Sequence, residues 1–254
     1  MNLSPYLEFA TETAYLAGRL TLGYFQAGTH PDFKPDDSPV TVADRLAEEL
    51  IRQRIEAAYP AHAIYGEEFG VKAPLGADMR WFIDPIDGTK AFMRGVPLYG
   101  VLIGLEVEGI PAVGAAYFPA LDEMLYGATG LGAWWNGRRA HVSTQTDLSR
   151  AYVSTTDLGG FHKAGKTAAW ERLAAACYYR AGWSDAYGYL LAATGRIEVM
   201  IDPLMAPWDC GPFPPILAEA GGYFGDWQGN VSLFSGEGLA TSQALLPQVL
   251  ALLG

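Results

Sequence analysis

Apolar residues recur at three- and four-residue spacing over residues 3–27 and again over 42–59, the period of a helix with one buried face. The second stretch follows "KPDDSPVT", a turn-forming run that leaves Thr41 placed to cap the helix start. A short strand in "AHAIYGEE" then runs out at Glu67 and Glu68. From residue 81 to about 142 the pattern changes to brief apolar runs, "WFID", "GVLIGLEV", "AVGAAYF", "EMLYGA" and "GAWWNGRRAHVS". The intervening "EGIP" and "NG" punctuate them as hairpin turns do. After about residue 146 strands and helices alternate: the strand "AYVSTT", helices through "TAAWERLAAAC" and "YGYLLAAT", the strand "RIEVMID", a helix into "ILAEAGG", the run "GLATS" and a closing helix. The pattern predicts an antiparallel α+β half over about 1–145 and an α/β half over about 146–254, sharing one core in a single domain.

Chemistry concentrates in "RWFIDPIDGTKAFMRG", residues 80–95. Asp84 and Asp87 stand where an apolar strand runs out, and strand ends are where α/β proteins place sites. Pro85 removes a backbone donor, so the strand is expected to leave its pairing there. Gly88 lets the backbone approach a ligand closely, and Thr89 is expected to cap a short helix, "KAFMR", that Gly95 ends. Free N–H groups at a helix start cradle phosphate, but two carboxylates beside it need cations between, which points to a metal-bridged phosphate site. The alternative, an Asp-Pro turn followed by an Asp-Gly turn, stands level with it on these residues alone.

Composition narrows the classes. Half of the 254 residues are hydrophobic, enough for a large core, and no window approaches a membrane span. The N-terminus lacks a basic region ahead of an apolar run, which argues against a signal peptide. Cys177 and Cys210, without a CxxC, support neither a disulfide framework nor a zinc site, so the cytoplasm is the expected compartment. A formal charge of −11 would repel nucleic acid.

Five segments together resemble the inositol monophosphatase family of Mg²⁺-dependent phosphatases: "SPVTVAD" (38–44), "GEE" (66–68), "WFIDPIDGT" (81–89), "GAWWNGRRAHVS" (132–143) and "PWDCGPFPPILAEAGG" (207–222). The resemblance implies an α/β fold of the layered α/β/α/β/α sandwich type shared with fructose-1,6-bisphosphatase, and a homodimer. It also implies two or three Mg²⁺ per active site, held by Glu67, Asp84, Asp87, Asp209 and the Ile86 carbonyl. Glu67 and Thr89 would position the attacking water, Asp44 would hold the Thr89 hydroxyl, and the Gly88 and Thr89 N–H groups would bind phosphate. The expected reaction is in-line hydrolysis of a small phosphate monoester by metal-activated water. Pro212, Pro214 and Pro215 depart from the family's small residues and leave fewer donors on the helix after Asp209.

For the substrate, "WSDAYGY" is similar to the histidinol-phosphatase branch, which carries Asp in a "GD-Y" pattern where inositol enzymes carry a small residue. Asp185, with Asp202 expected against the substrate alcohol, would complement the ammonium and imidazole of histidinol phosphate. Asp185 also has a plainer role open to it, as a cap for the helix that follows. Inositol 1-phosphate, or a broad range of sugar and nucleotide phosphates, is the alternative substrate class. Two remoter readings are a protein-binding family member without catalysis and a P-loop at Gly160-x₄-Gly165-Lys166-Thr167, which matches the literal motif. An aspartyl-phosphate mechanism is set aside because its two acids sit two residues apart, whereas Asp84 and Asp87 are three apart. The four histidines, at 30, 62, 141 and 162, share no ligand or triad spacing.

Overall fold

The helices Ser4–Leu22 and Val42–Ala58 bury their apolar stripes against one face of an eight-stranded sheet. The structure, a computed structural model, describes residues 1–35 and 37–254; the expected turn in "KPDDSPVT" includes residue 36, outside the described residues. The first helix stops short of residue 27 because Gln26 and Gly28 take positive φ, which a right-handed helix excludes. The second begins as its sequence predicts. Thr41 Oγ1 accepts from Ala43 N at 3.1 Å while Asp44 accepts from Thr41 N at 2.8 Å, satisfying donors that a first turn otherwise leaves open.

In spatial order the large sheet runs Arg138–Arg139, Gly132–Trp135, Glu123–Ala128, Ile110–Phe118, Gly100–Val107, Met79–Asp87, Ala63–Gly66, Gly70–Lys72. Its neighbours are antiparallel except Ala63–Gly66 beside Met79–Asp87, which are parallel. That one parallel pairing brings Glu67 out beside Asp84, with Glu67 N donating to Ile83 O at 3.2 Å. A five-stranded sheet, ordered Tyr179–Arg180, Tyr152–Ser154, Val199–Asp202, Gly238–Ser242, Gly222–Gly225, forms the second β layer. Between the sheets lie the helices Asp185–Ala193 and Phe213–Glu219, in one apolar cluster with Phe82, Leu102 and Leu125 of the large sheet and Met200, Phe224 and Ala240 of the small one. Helices Thr167–Ala176 and Leu246–Leu253 cover the outer face around Leu173, Val199 and Val249. The result is helix, sheet, helix, sheet, helix, as expected. Each large apolar side chain buried to this degree contributes about 1.5–3 kcal/mol.

Two expectations are corrected here. Pro85 does not end the strand: Asp84 pairs with Leu102 and Asp87 with Gly100, so three steps on one strand oppose two on the other. The missing N–H is absorbed in a bulge at the C-terminal end of this interior strand, where Asp84 and Asp87 come together. The P-loop reading fails because Leu158–Lys163 is helical, so Gly160 lies within a helix instead of a phosphate loop. Lys166 lies 4.2 Å above the Trp227 ring and is paired with Glu237. The strand Gly222–Gly225 escaped the pattern because all four residues are buried, with no alternation to read.

Candidate active site

Asp84 and Asp87 leave the bulge, and Asp209 approaches from the short helix Pro207–Cys210. That helix lies close on the large sheet: a Cβ on Gly104 would meet the Gly211 carbonyl carbon at 2.3 Å, and one on Gly114 the Pro212 oxygen at 2.0 Å. Only glycines admit this approach. Pro212, Pro214 and Pro215 occupy the cap position and first turn of Phe213–Glu219, where no intrahelical donor is lost. The three acids present oxygens within 4.8 Å of one another.

Like charges this close resist joint ionisation. Burial, and then the charges of Glu67, Asp87 and Asp209, push Asp84 well above the usual carboxylate range. Asp87 is pushed well above it by burial and then by Asp185 and Asp209. Burial carries Asp209 up to about 7 even though Ala206 N donates to it at 2.8 Å. A donor set of one buried and two half-buried carboxylates, too close to be ionised together unaided, fits a hard divalent cation. The Ile86 carbonyl lies in the same bulge and accepts from Thr89 Oγ1 at 3.1 Å.

Glu67 lines the cavity and meets Lys34 Nζ at 2.8 Å, while Glu68 meets the same ammonium at 2.7 Å. Burial opposes the Lys34 charge, but the hydrogen bonds and charges of the two glutamates prevail and raise its pKa. Glu48 holds this turn from below. Fully buried, it accepts from Glu68 N at 2.7 Å, Phe69 N at 3.2 Å and Arg52 Nε at 2.7 Å. Neither Lys34 nor Glu48 was found from the sequence. Asp44, Glu48 and Arg52, spaced i, i+4, i+8 beside the buried Ala43, Ala47, Ile51 and Ile55, form the one pattern that could have singled out Glu48.

Gly88 adopts φ 81° and stands at the cap position of the helix Thr89–Met93. Thr89 is therefore the first helical residue, and its hydroxyl turns away from the expected capping role to Asp44 Oδ1, 3.2 Å away. Burial lifts Asp44 to about 6 despite its hydrogen bonds from Thr41. Gly88, Thr89, Lys90 and Arg94 line a cavity of about 830 Å³ together with Glu67, Thr156, Asp157, Trp183 and Asp185.

Asp185 does not cap its helix; it is the first helical residue, at φ 43°, and its Oδ2 is buried without a hydrogen-bond partner. It faces Gly88, where an added Cβ would lie 3.0 Å from Oδ2. Burial, then the charge of Asp202, raises Asp185 to about 7, with Lys90 working the other way. Asp202 is corrected: it stands behind the cavity wall, 4% exposed, its carboxylate taken by Thr155 Oγ1, Thr156 N, Thr156 Oγ1 and Tyr189 Oη at 2.8–3.1 Å. Asp202, expected against the substrate alcohol, is thus not part of the lining but supports Thr156, which is.

Residues 2–253 match the model of the inositol monophosphatase family. A histidinol-phosphatase of Chlorobaculum parvum is 45% identical over 94% of this chain and 93% of its own. A fructose-1,6-bisphosphatase/inositol-1-monophosphatase of Aquifex aeolicus is 34% identical over 88% and 86%. Among solved structures, an inositol monophosphatase from Anabaena superposes with a TM-score of 0.88 at 29% identity, covering 100% of this chain and 96% of its own.

Proposed function

The chain belongs to the inositol monophosphatase family, a family of phosphoric monoester hydrolases, and from that premise we propose that it hydrolyses L-histidinol phosphate to L-histidinol and phosphate with Mg²⁺ as cofactor. The observation that carries the reaction is the trio Asp84, Asp87 and Asp209, gathered within 4.8 Å beside the Gly88–Thr89 turn. Two or three Mg²⁺, held by Glu67, Asp84, Asp87, Asp209 and the Ile86 carbonyl, would supply the positive charge that offsets the phosphoryl oxygens and lowers the pKa of water.

The chain's own groups do the rest. Gly88 and Thr89 N–H groups donate to the phosphate, and the left-handed turn at Gly88 keeps a side chain out of its way. The Thr89 hydroxyl, held by Asp44, and the Glu67 carboxylate orient the attacking water in line with the leaving oxygen. Lys90 and Arg94, on the same short helix and lining the cavity, attract the phosphate dianion.

For the leaving group, the unpartnered Asp185 Oδ2 on the cavity wall favours a cationic alcohol over a neutral polyol, because an ammonium or imidazolium supplies the partner that the chain does not. A panel of histidinol phosphate, inositol 1-phosphate and 3′-phosphoadenosine 5′-phosphate with and without Mg²⁺ tests the activity. Asp185→Ala should lower kcat/KM for histidinol phosphate about tenfold more than for inositol 1-phosphate. Equal losses on both would remove Asp185 from substrate selection.

A further inference from the structure

Beyond Asp185, the wall of the cavity carries a large aromatic side chain that belongs to none of the four apolar clusters among the described residues. Trp183 is 50% exposed and faces the same cavity as Gly88, Asp157 and Asp185. Its backbone is tightly constrained. Ala181 N donates to Val153 O at 2.9 Å, Trp183 N to Thr156 O at 3.0 Å, and Ala186 N to Asp87 Oδ1 at 2.7 Å, while Ser184 and Ser154 share a hydroxyl contact. The segment is also strained: Trp183 at φ 58° and Asp185 at φ 43° both occupy the left-handed region that bulky residues avoid. Such strain persists where surrounding contacts over-determine it, and it gathers at ligand clamps. A large apolar ring carried on so fixed a backbone yet left half in solvent contributes little to the core, so its placement points to a ligand.

Charge around the ring sets the kind of ligand. Asp185 flanks it in sequence, and the exposed Asp157 lies on the same wall, whereas Lys90 and Arg94 belong to the phosphate end. An indole face attracts cations and stacks on flat rings. We propose that Trp183 determines specificity by stacking on a flat, positively charged ring of the leaving group, with Asp157 and Asp185 supplying the opposing charge. The proposal rests on the activity toward histidinol phosphate, whose imidazolium is such a ring.

The test compares wild type, Trp183→Ala and Trp183→Leu on three esters at saturating Mg²⁺. Histidinol phosphate carries charge and ring, 2-aminoethyl phosphate carries charge alone, and inositol 1-phosphate carries neither. Both variants should lose about tenfold in kcat/KM on histidinol phosphate, through KM, and less than about twofold on the other two. Thermal unfolding should stay close to wild type, and Trp183→Leu keeps apolar bulk at the site should the alanine variant fold poorly. If the wild type prefers histidinol phosphate but the variants lose equally on all three esters, or on none, stacking by Trp183 is overturned and the activity stands. A wild type indifferent among the esters overturns the stacking alone, and one inactive on histidinol phosphate overturns both.

Discussion

At the Asp84 cluster, beside the Gly88–Thr89 wall of the cavity, each acid is pinned by backbone: Asp84 by Ile86 N at 3.0 Å, Asp87 by Ala186 N at 2.7 Å, Asp209 by Ala206 N at 2.8 Å. At the Trp183 end the frame is equally fixed but the side chains are not; an indole stands half in solvent and Asp185 keeps an oxygen without a partner. The first end is built from the end of an interior strand and the starts of helices, where position follows from pairing. The second has groups whose complement is absent from the chain. A site that must stabilise one transition state needs pre-set electrostatics, and a site that must choose among alcohols needs unsatisfied groups that only the right ligand completes.

Substitutions at the first end should therefore act alike on every ester. Asp87→Asn removes a charge on which the proposed cation cage would depend; kcat should fall at least about a thousandfold, on the order of 4 kcal/mol, on histidinol phosphate and inositol 1-phosphate alike. A selective loss in steady-state assays would break the division between the two ends. Glu48→Gln leaves Glu67 in place but loosens the turn that carries it. Activity should drop about tenfold, with a matching rise in the Mg²⁺ needed for half-maximal rate, because supporting hydrogen bonds tune metal affinity to about this degree. If the Mg²⁺ requirement is unchanged, Glu48 supports the fold alone.

The smallest effect is on stability. Asp209 and Asp185, raised to about 7, and Asp44, raised to about 6, bind protons more readily folded than unfolded. Between their ordinary value of 3.8 and those raised values the folded chain holds more protons, so stability falls as pH rises through the window. His62, lowered by burial, opposes this on the acid side. Metal-free protein should thus melt higher near pH 6 than near pH 8, and saturating Mg²⁺ should shrink the difference. A metal-free melting temperature that rises with pH would contradict the crowding of carboxylates at the Asp84 end.

Much of the reaction end was legible along the chain. The helix Val42–Ala58, its Thr41 cap, the strand running into Asp84 and the left-handed turn at Gly88 follow from local period, capping and glycine chemistry. Local rules also misjudged two residues there: Pro85 bulges a strand that its partner Gly100–Val107 holds together, and Thr89 gives its hydroxyl to Asp44 in place of capping. Both outcomes depend on neighbours distant in sequence.

By itself, then, the sequence determined most of the elements, which acids end them and, through five ordered segments, the family to which the chain belongs. Tertiary structure alone decided that Lys34 bridges Glu67 and Glu68, that Glu48 underpins their turn, that Asp202 serves Thr156 from behind the wall, and that Trp183 shares a cavity with Gly88. Periodicity reports which face of an element is apolar. It carries no information on which buried acid meets which distant donor, because that is set by how the two sheets and the helices between them pack.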